Sequence, residues 1–390
     1  MSFDADQSFN FLPIPTDVHF GCGMIRALPD RVRALGARHV LVVTDPGVQA
    51  AGIVERVTSP LAAAGVAVTV YDKVHADSGS DLIADAVDTL TAAGADTIVG
   101  VGGGSSLDTA KAVAALATNP GSPLDYLGLH KVTQRPLPCI AIPTTSGTGS
   151  EVSLWSVFTN DTNKVKVAIG GVMLYPAVAI CDPELTFDLP AALTASTGMD
   201  ALAHAIECFT NNACQPISGA LALRAIELIG RHLRGAVLNG RDRQARYAMM
   251  LGSTLAGMAM NPTRLGLAHA LAMPLGSGDL KIPHGIAVAV TLPVVMRFNA
   301  PAAVDRFVSV GHALGEPANG CGPVGVADRA VEFVDALARD VGIPTTLAEF
   351  GLRHTHVAEV IDEAMKSGNV VVNPRRTSKE ELTTILRSVL

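Results

Sequence analysis

The hydrophobic pattern changes period near the middle of the chain. In the first half, short β-branched and apolar runs alternate with amphipathic stretches. Val40–Thr44, Val66–Tyr71, Asp96–Val101 and Pro138–Ile142 read as strands. Ser80–Ala93 and Ser106–Ala117 carry apolar residues at helical spacing between them. This order predicts a parallel sheet with helices on both faces, and ligands at the carboxyl ends of the strands. The turn-rich stretch DPELTFDLP, residues 182–190, marks the boundary. Beyond it lie long Ala/Leu/Met-rich patterns: Ala191–Thr210, Ile217–Leu238, Arg243–Met260, His284–Phe298, Val324–Val341 and Lys379–Val389. Strand signals nearly vanish there. The expected fold class is an α/β N-terminal domain, residues 1–185, with a Rossmann-like parallel sheet, followed by an all-α C-terminal domain, residues 186–390. The cleft between them is the expected active site.

Composition narrows the picture. With 48% hydrophobic residues over 390 positions the chain can build a large core, and only 4% aromatics favours close packing of Ala, Val, Leu and Gly. A net charge of −7 offers no basic stripe for nucleic acid. Cys22, Cys139, Cys181, Cys208, Cys214 and Cys321 form no CxxC pair, which reads as free thiols in a reducing compartment. The segment MSFDADQSFNFLPIP lacks the apolar region of a signal peptide. Val167–Cys181 reads as the longest apolar stretch, and Pro176 and two glycines interrupt it too often for a membrane span. The expected location is cytoplasmic, with no membrane partner. The β-prone segment Phe11–Phe20 reads as an edge element for contacts with a second chain.

Four residues carry the strongest chemical signal. Asp200 and His204 stand four apart in GMDALAHAIE, on one face of a predicted helix. GLAHALAMPLG adds His269 and KIPHG adds His284. Each His alone reads as a core residue. Together, in an apolar background where an unpaired polar group is costly, they read as a metal set. One carboxylate and three imidazoles suit Fe(II) or Zn(II) better than Ca(II) or Mg(II), and ligand identity does not separate the first two. In an enzyme such a set would leave a position open for a substrate oxygen.

A second constellation lies in the first half. Gly102, Gly103, Gly104 and Ser105 follow a predicted strand and open a helix, with Asp108 and Lys111 in its first turns. Such a turn can cradle a phosphate on helix N–H groups, and it can equally be an ordinary strand–helix turn. It matches neither GxxxxGK[ST] nor GxGxxG. A second loop, PTTSGTGSE, places Thr144, Thr145 and Thr148 after the strand CIAI, where hydroxyls suit a pyrophosphate or a ribose. Asp45 ends another strand. There a carboxylate either accepts from an adenosine ribose, repelling a 2′-phosphate, or caps the next helix.

Taken in order, GGGSSLDTAKA, PTTSGTGSEV, DPEL, GMDALAHAIE and PHG resemble the iron-dependent (group III) alcohol dehydrogenases. That family includes lactaldehyde reductase, 1,3-propanediol dehydrogenase and bacterial butanol dehydrogenases. The resemblance runs from FGCG at 20–23 to VNPRR at 372–376. It implies a dinucleotide-binding N-terminal domain and a helical metal-binding C-terminal domain, an architecture related to that of dehydroquinate synthase. It implies that Asp200, His204, His269 and His284 ligate one Fe(II), with Zn(II) in some members. It implies that Asp45, Gly102–Ser105, Thr144, Thr145, Thr148 and Lys166 contact NAD(H), and that hydride passes between the nicotinamide and a small alcohol or aldehyde. A homodimer or larger homo-oligomer is the implied assembly. Dehydroquinate synthase itself is disfavoured, because its metal set uses Glu with two His.

The chain departs from the family pattern at Met273, four residues after His269, where many members carry a further His. Methionine cannot relay a proton. Ser153 and Trp155, after the Thr/Ser loop, are further substrate-side candidates. Arg264 and Lys281 flank the metal-ligand motifs. As loop cations they read first as solvated, and second as partners of an anionic substrate tail. The alternative reading is therefore a reductase or hydroxyacid–oxoacid transhydrogenase for an anionic oxo or hydroxy acid, like maleylacetate reductase.

Overall fold

The computed structural model describes residues 8–11, 13–317 and 320–390. Residues 1–7 of the N-terminal segment read for a signal peptide, and Leu12 of the β-prone segment, lie outside the described residues. The chain forms two compact units, one of Ile14–Leu189 and one of Pro190–Leu390 together with the described residues 8–11 and 13.

The first unit carries nine strands: β1 Asp17–Phe20, β2 His39–Val43, β3 Ala67–Tyr71, β4 Thr97–Gly102, β5 Gly128–Leu129, β6 Cys139–Pro143, β7 Trp155–Thr159, β8 Lys166–Gly170 and β9 Val178–Cys181. Six of them make one sheet in the order β1-β9-β6-β4-β2-β3, with every pairing parallel. From β2 the chain steps to β3 on one side, then crosses to β4 on the other. The strand order therefore reverses between β2 and β4, and ligands of open α/β sheets bind beyond the carboxyl ends at such a point.

Alternation along the strands builds two cores. Leu41, Val43 and Ile98 face the helices Ser80–Ala93 and Gly104–Leu116. Val40, Val42, Val99 and Val101 face the opposite side, with Leu28, Val32, Val57 and Leu61 from the helices Leu28–Ala34 and Ile53–Ala63. Both parities are apolar because a parallel sheet is covered on both faces.

The stretch Val167–Cys181 is not one apolar segment. It is divided between β8, a 3₁₀ turn at Val172–Leu174, and β9. β8 joins β5 and β7 in a small separate sheet, antiparallel to β7. Strand β1 covers only the last four residues of the β-prone segment and lies at the edge of the large sheet.

The second unit is helical, and among the described residues no strand follows β9. Ala191–Thr210, Pro216–Leu238 and Arg243–Thr263 are its longest helices, followed by Leu267–Leu275, His284–Asn299, Val304–Leu314, Pro323–Asp340 and shorter elements. Met199, Leu202, Ile206, Ile229, Leu271, Val288 and Leu292 are all buried in one core. Burying each such side chain contributes roughly 1.5–3 kcal/mol. Asp242 starts one of these helices by accepting from the N–H groups of Gln244 and Ala245, each at 3.0 Å. Ser378 and Glu381 close a capping box at another.

Sequence inspection overlooked the most membrane-like run. His284–Ala302, not Val167–Cys181, is long and apolar enough to cross a membrane, with a mean hydropathy of 1.4. In the structure 61% of its most apolar 18-residue window is buried inside the protein, as befits a core helix, and its first residue is a metal-ligand candidate.

Candidate metal centre and dinucleotide cradle

Two apolar helices and a helix start bring the metal candidates together. Asp200 and His204 project from Ala191–Thr210, His269 from the first turn of Leu267–Leu275, and His284 begins His284–Asn299. Asp200, His269 and His284 place ligand atoms within 4.8 Å of one another. His269 Nε2 lies 3.3 Å and His284 Nε2 3.7 Å from Asp200 Oδ1. His204 is stacked on His269, with ring centroids 4.5 Å apart and 24° between planes. Gly285 explains how His284 gets so close. A Cβ there would fall 2.7 Å from the Ser196 carbonyl oxygen, so only a residue without a side chain lets this helix meet the turn before Asp200.

The donor set asks for a cation. Asp200 Oδ1 and His269 Nε2 are buried and have no hydrogen-bond partner among the described residues, and such atoms are expensive to leave unmet. His269 Nδ1 stands 2.6 Å from Glu207 Oε2. A carboxylate offers no proton, so Nδ1 is the donor, and the Nε2 lone pair of the neutral ring faces the Asp200 oxygen. Two lone pairs at 3.3 Å repel unless a positive charge lies between them. Burial would raise the Asp200 carboxyl, but the His204, His284 and His269 rings outweigh it and hold Asp200 well below the usual carboxylate range. Burial would lower His269, but Glu207 and Asp200 push it up to about 9. A divalent metal with nitrogen and oxygen ligands fits that central place.

Sequence analysis missed Glu207. It stands seven residues after Asp200 and three after His204, on the same helix face, inside the quoted motif GMDALAHAIE. The i, i+4, i+7 spacing was the available signal.

The cradle candidates converge at the carboxyl ends of β2, β4 and β6. Asp45 follows β2, Gly102–Gly104 end β4 and open the helix Gly104–Leu116, and Thr144 follows β6. The Thr144 N–H donates to the Gly102 carbonyl at 2.9 Å, which ties the two loops together. Gly102 has φ +149, and a Cβ there would fall 2.5 Å from Ser106 Oγ and 3.1 Å from Asp45 Oδ2. The helix N-terminus has Gly103 as its cap residue and no side-chain cap, which leaves its first N–H groups available to an anion. Asp45 fills the capping role considered for it. Its Oδ1 caps the next helix by accepting from the Val48 N–H at 3.0 Å, while Oδ2 accepts from Ser106 Oγ at 3.2 Å.

The other candidates make the following local contacts. Lys111 is fully buried, and its ammonium donates to the carbonyls of Ser150 and Trp155 and to Ser153 Oγ at 3.2 Å. It also pairs with Asp108 at 3.2 Å. Asp108 accepts in addition from Ser150 Oγ at 2.5 Å and from the Val157 N–H at 3.0 Å. Asp108 and Ser153 thus hold the Thr/Ser loop to the helix beneath it, a local role the sequence reading had not assigned to either. The Trp155 ring lies over Gly170, where a Cβ would fall 2.4 Å from it. Lys166 donates to Asp77 at 2.6 Å, with its side chain largely buried. Arg264 and Lys281 are exposed and adopt φ of +62 and +46. The Arg264 guanidinium lies against Gly368. Met273 is half-buried, one turn after His269 on the same helix.

These elements recur in known proteins. Residues 15–183 match the iron-containing alcohol dehydrogenase family, and residues 194–390 match the C-terminal part of the Fe-containing alcohol dehydrogenase family. The chain belongs to the iron-containing alcohol dehydrogenases and is an oxidoreductase of that family. It is 36% identical over 381 residues to the NAD-dependent methanol dehydrogenase of Bacillus methanolicus, covering 98% of this chain and 100% of that protein. A crystal structure of a 1,3-propanediol oxidoreductase superposes with a TM-score of 0.95 at 38% identity, over 98% of this chain and 100% of the other. The sulfoacetaldehyde reductase of Bifidobacterium kashiwanohense, solved in complex with NAD+, gives a TM-score of 0.89 at 30% identity, over 98% and 99% of the two chains.

Proposed function

We propose that this protein transfers hydride between NAD(H) and a small alcohol or aldehyde held at an Fe(II) site, with Zn(II) as the alternative metal. The observation that carries this reading is the buried, partnerless pair of Asp200 Oδ1 and His269 Nε2, with His284 beside it. Asp200, His204, His269 and His284 would hold the metal. Bound there, it would act as a Lewis acid on the substrate oxygen, while the nicotinamide supplies the two-electron partner.

The chain's own residues supply position and electrostatics. N–H groups at Gly103, Gly104 and Ser105 would take the pyrophosphate at the helix N-terminus, next to Gly102. Thr144, Thr145 and Thr148 would contact the nicotinamide half, with Lys166 nearby in the same unit. Lys111 and Asp108 keep that loop in place. Oxidation of the alcohol yields aldehyde, NADH and one proton. Met273 cannot accept that proton, so it would leave through water.

Asp45 predicts cofactor choice. A carboxylate and a 2′-phosphate a few ångströms apart repel by about 1–4 kcal/mol. NADPH is therefore expected to support reduction about tenfold or more less efficiently than NADH, and Asp45→Ala should close that gap. Equal use of both cofactors by the unsubstituted protein would remove Asp45 from the ribose site.

A second reading is favoured by Arg264 and Lys281. Both are exposed, and neither forms an ion pair among the described residues. On that reading the substrate is an anionic oxo or hydroxy acid, handled by a reductase or by a transhydrogenase that retains its cofactor. A panel of neutral and anionic aldehydes, run on the unsubstituted protein and on Arg264→Ala and Lys281→Ala, separates the two. Losses confined to anionic substrates would favour the second. The reading extends to a cytoplasmic homodimer or larger homo-oligomer, supported by six free cysteines and by edge strand β1.

A further inference from the structure

We infer that Glu207 is the positioning residue of the metal centre, fixing the ring of His269 and its proton so that Nε2 presents a lone pair to the metal. The inference rests on the metal site proposed above. Glu207 is 4% exposed and every contact of its carboxylate is defined. Oε2 accepts from His269 Nδ1 at 2.6 Å and from the Gly266 N–H at 2.9 Å. Oε1 accepts from the Ala268 N–H at 2.7 Å.

Two of those donors are backbone groups at the start of the helix that carries His269. Glu207 therefore ties the helix bearing Asp200 and His204 to the helix bearing His269, and it satisfies N–H groups that the second helix cannot satisfy itself. The positive end of that helix favours a carboxylate there. With Nδ1 committed to Glu207, the opposite tautomer would set a lone pair against an anionic oxygen. Metal-ligating histidines are commonly oriented in this way, and their partners influence affinity.

The chain is fitted around this carboxylate. A Cβ on Gly266 would fall 2.7 Å from Glu207 Oε1 and 2.9 Å from its carboxyl carbon. The Gly266 backbone, with φ −141, is open to any residue. The need for glycine is thus the space that Glu207 occupies. Gly266→Ala should displace the carboxylate without altering its charge.

A purely structural Glu207 would cap the helix and do nothing to the metal. The two roles separate in Zn(II) affinity, measured by chelator competition, and in the visible spectrum of the Co(II)-substituted protein, each read beside the melting temperature of the metal-free form. Glu207→Gln keeps size but presents an amide that cannot accept from all three donors. It is expected to weaken Zn(II) binding by about 10–100-fold and to shift the Co(II) bands. Gly266→Ala should move both readouts in the same direction. Unchanged Zn(II) affinity and an unchanged Co(II) spectrum in both variants, with only the melting temperature lowered, would overturn the inference and leave a helix cap. Should Glu207→Gln not fold, nitrogen-15 histidine spectra of the unsubstituted Zn(II) form decide the matter: a proton on His269 Nδ1 is expected, and one on Nε2 would overturn it. Failure of the unsubstituted protein to take up Zn(II) or Co(II) at all would overturn the proposed metal site together with this inference.

Discussion

His269→Ala is expected to empty the metal site and to lower kcat/KM for aldehyde reduction by about 1000-fold or more. Lewis-acid stabilisation of charge on a substrate oxygen is worth several kcal/mol, and about 4 kcal/mol corresponds to a thousandfold in rate. The substitution removes more than a ligand. His269 stacks on His204 and faces Asp200, and it is the group that Glu207 holds. Without it, Asp200 is left as a buried carboxylate with His284 Nε2 3.7 Å away. NADH binding should survive, because the proposed cradle is built from residues 45–166 in the other unit. Metal analysis and NADH fluorescence titration on one preparation check both halves of the statement. Metal retained in His269→Ala would exclude this residue as a ligand, and NADH binding lost with the metal would mean that the two sites are not independent.

The second large effect is expected at Gly102. Its φ of +149 lies in a region that residues with a side chain rarely adopt, and such strain costs of order 1–3 kcal/mol. The added methyl also meets Ser106 and approaches Asp45, so it pushes on the helix start and on the Asp45 carboxylate at once. A loop that relaxes this strain in the free protein must recover it to bind, so Gly102→Ala should weaken NADH binding by about 10–100-fold while leaving the metal content intact. Isothermal titration with NADH reads the first quantity and metal analysis the second. Wild-type NADH affinity in this variant would place the pyrophosphate elsewhere.

The parallel sheet was legible because its central strands are continuous apolar runs between amphipathic helices. Strands β2, β3, β4 and β6 fall within one or two residues of the predicted stretches. The small sheet was not legible. Its strand β5 has only two residues, and β8 and β9 read as one apolar segment although they belong to different sheets. In the helical unit the long helices stand out through their period, whereas Leu267–Leu275 is only nine residues long and contains Pro274. The three histidines and Asp200 were visible as residue types, but Glu207 was hidden by its ordinariness: a Glu in a helix normally reads as a solvated surface residue. Only tertiary structure shows that it is buried against a helix start. Asp108 and Ser153 illustrate the opposite case. They are polar residues beside a predicted ligand loop, yet the buried ammonium of Lys111 organises them. No spacing rule in the sequence announces a fully buried lysine.

Anaerobic reconstitution of the metal-free protein with Fe(II), followed by NADH oxidation with a small aldehyde, tests the central claim most directly. The account predicts uptake of about one metal per chain and activity that rises in proportion to it. Full NADH binding and full activity in protein stripped of metal would contradict it, and would leave the buried Asp200–His269 pair without the role assigned here.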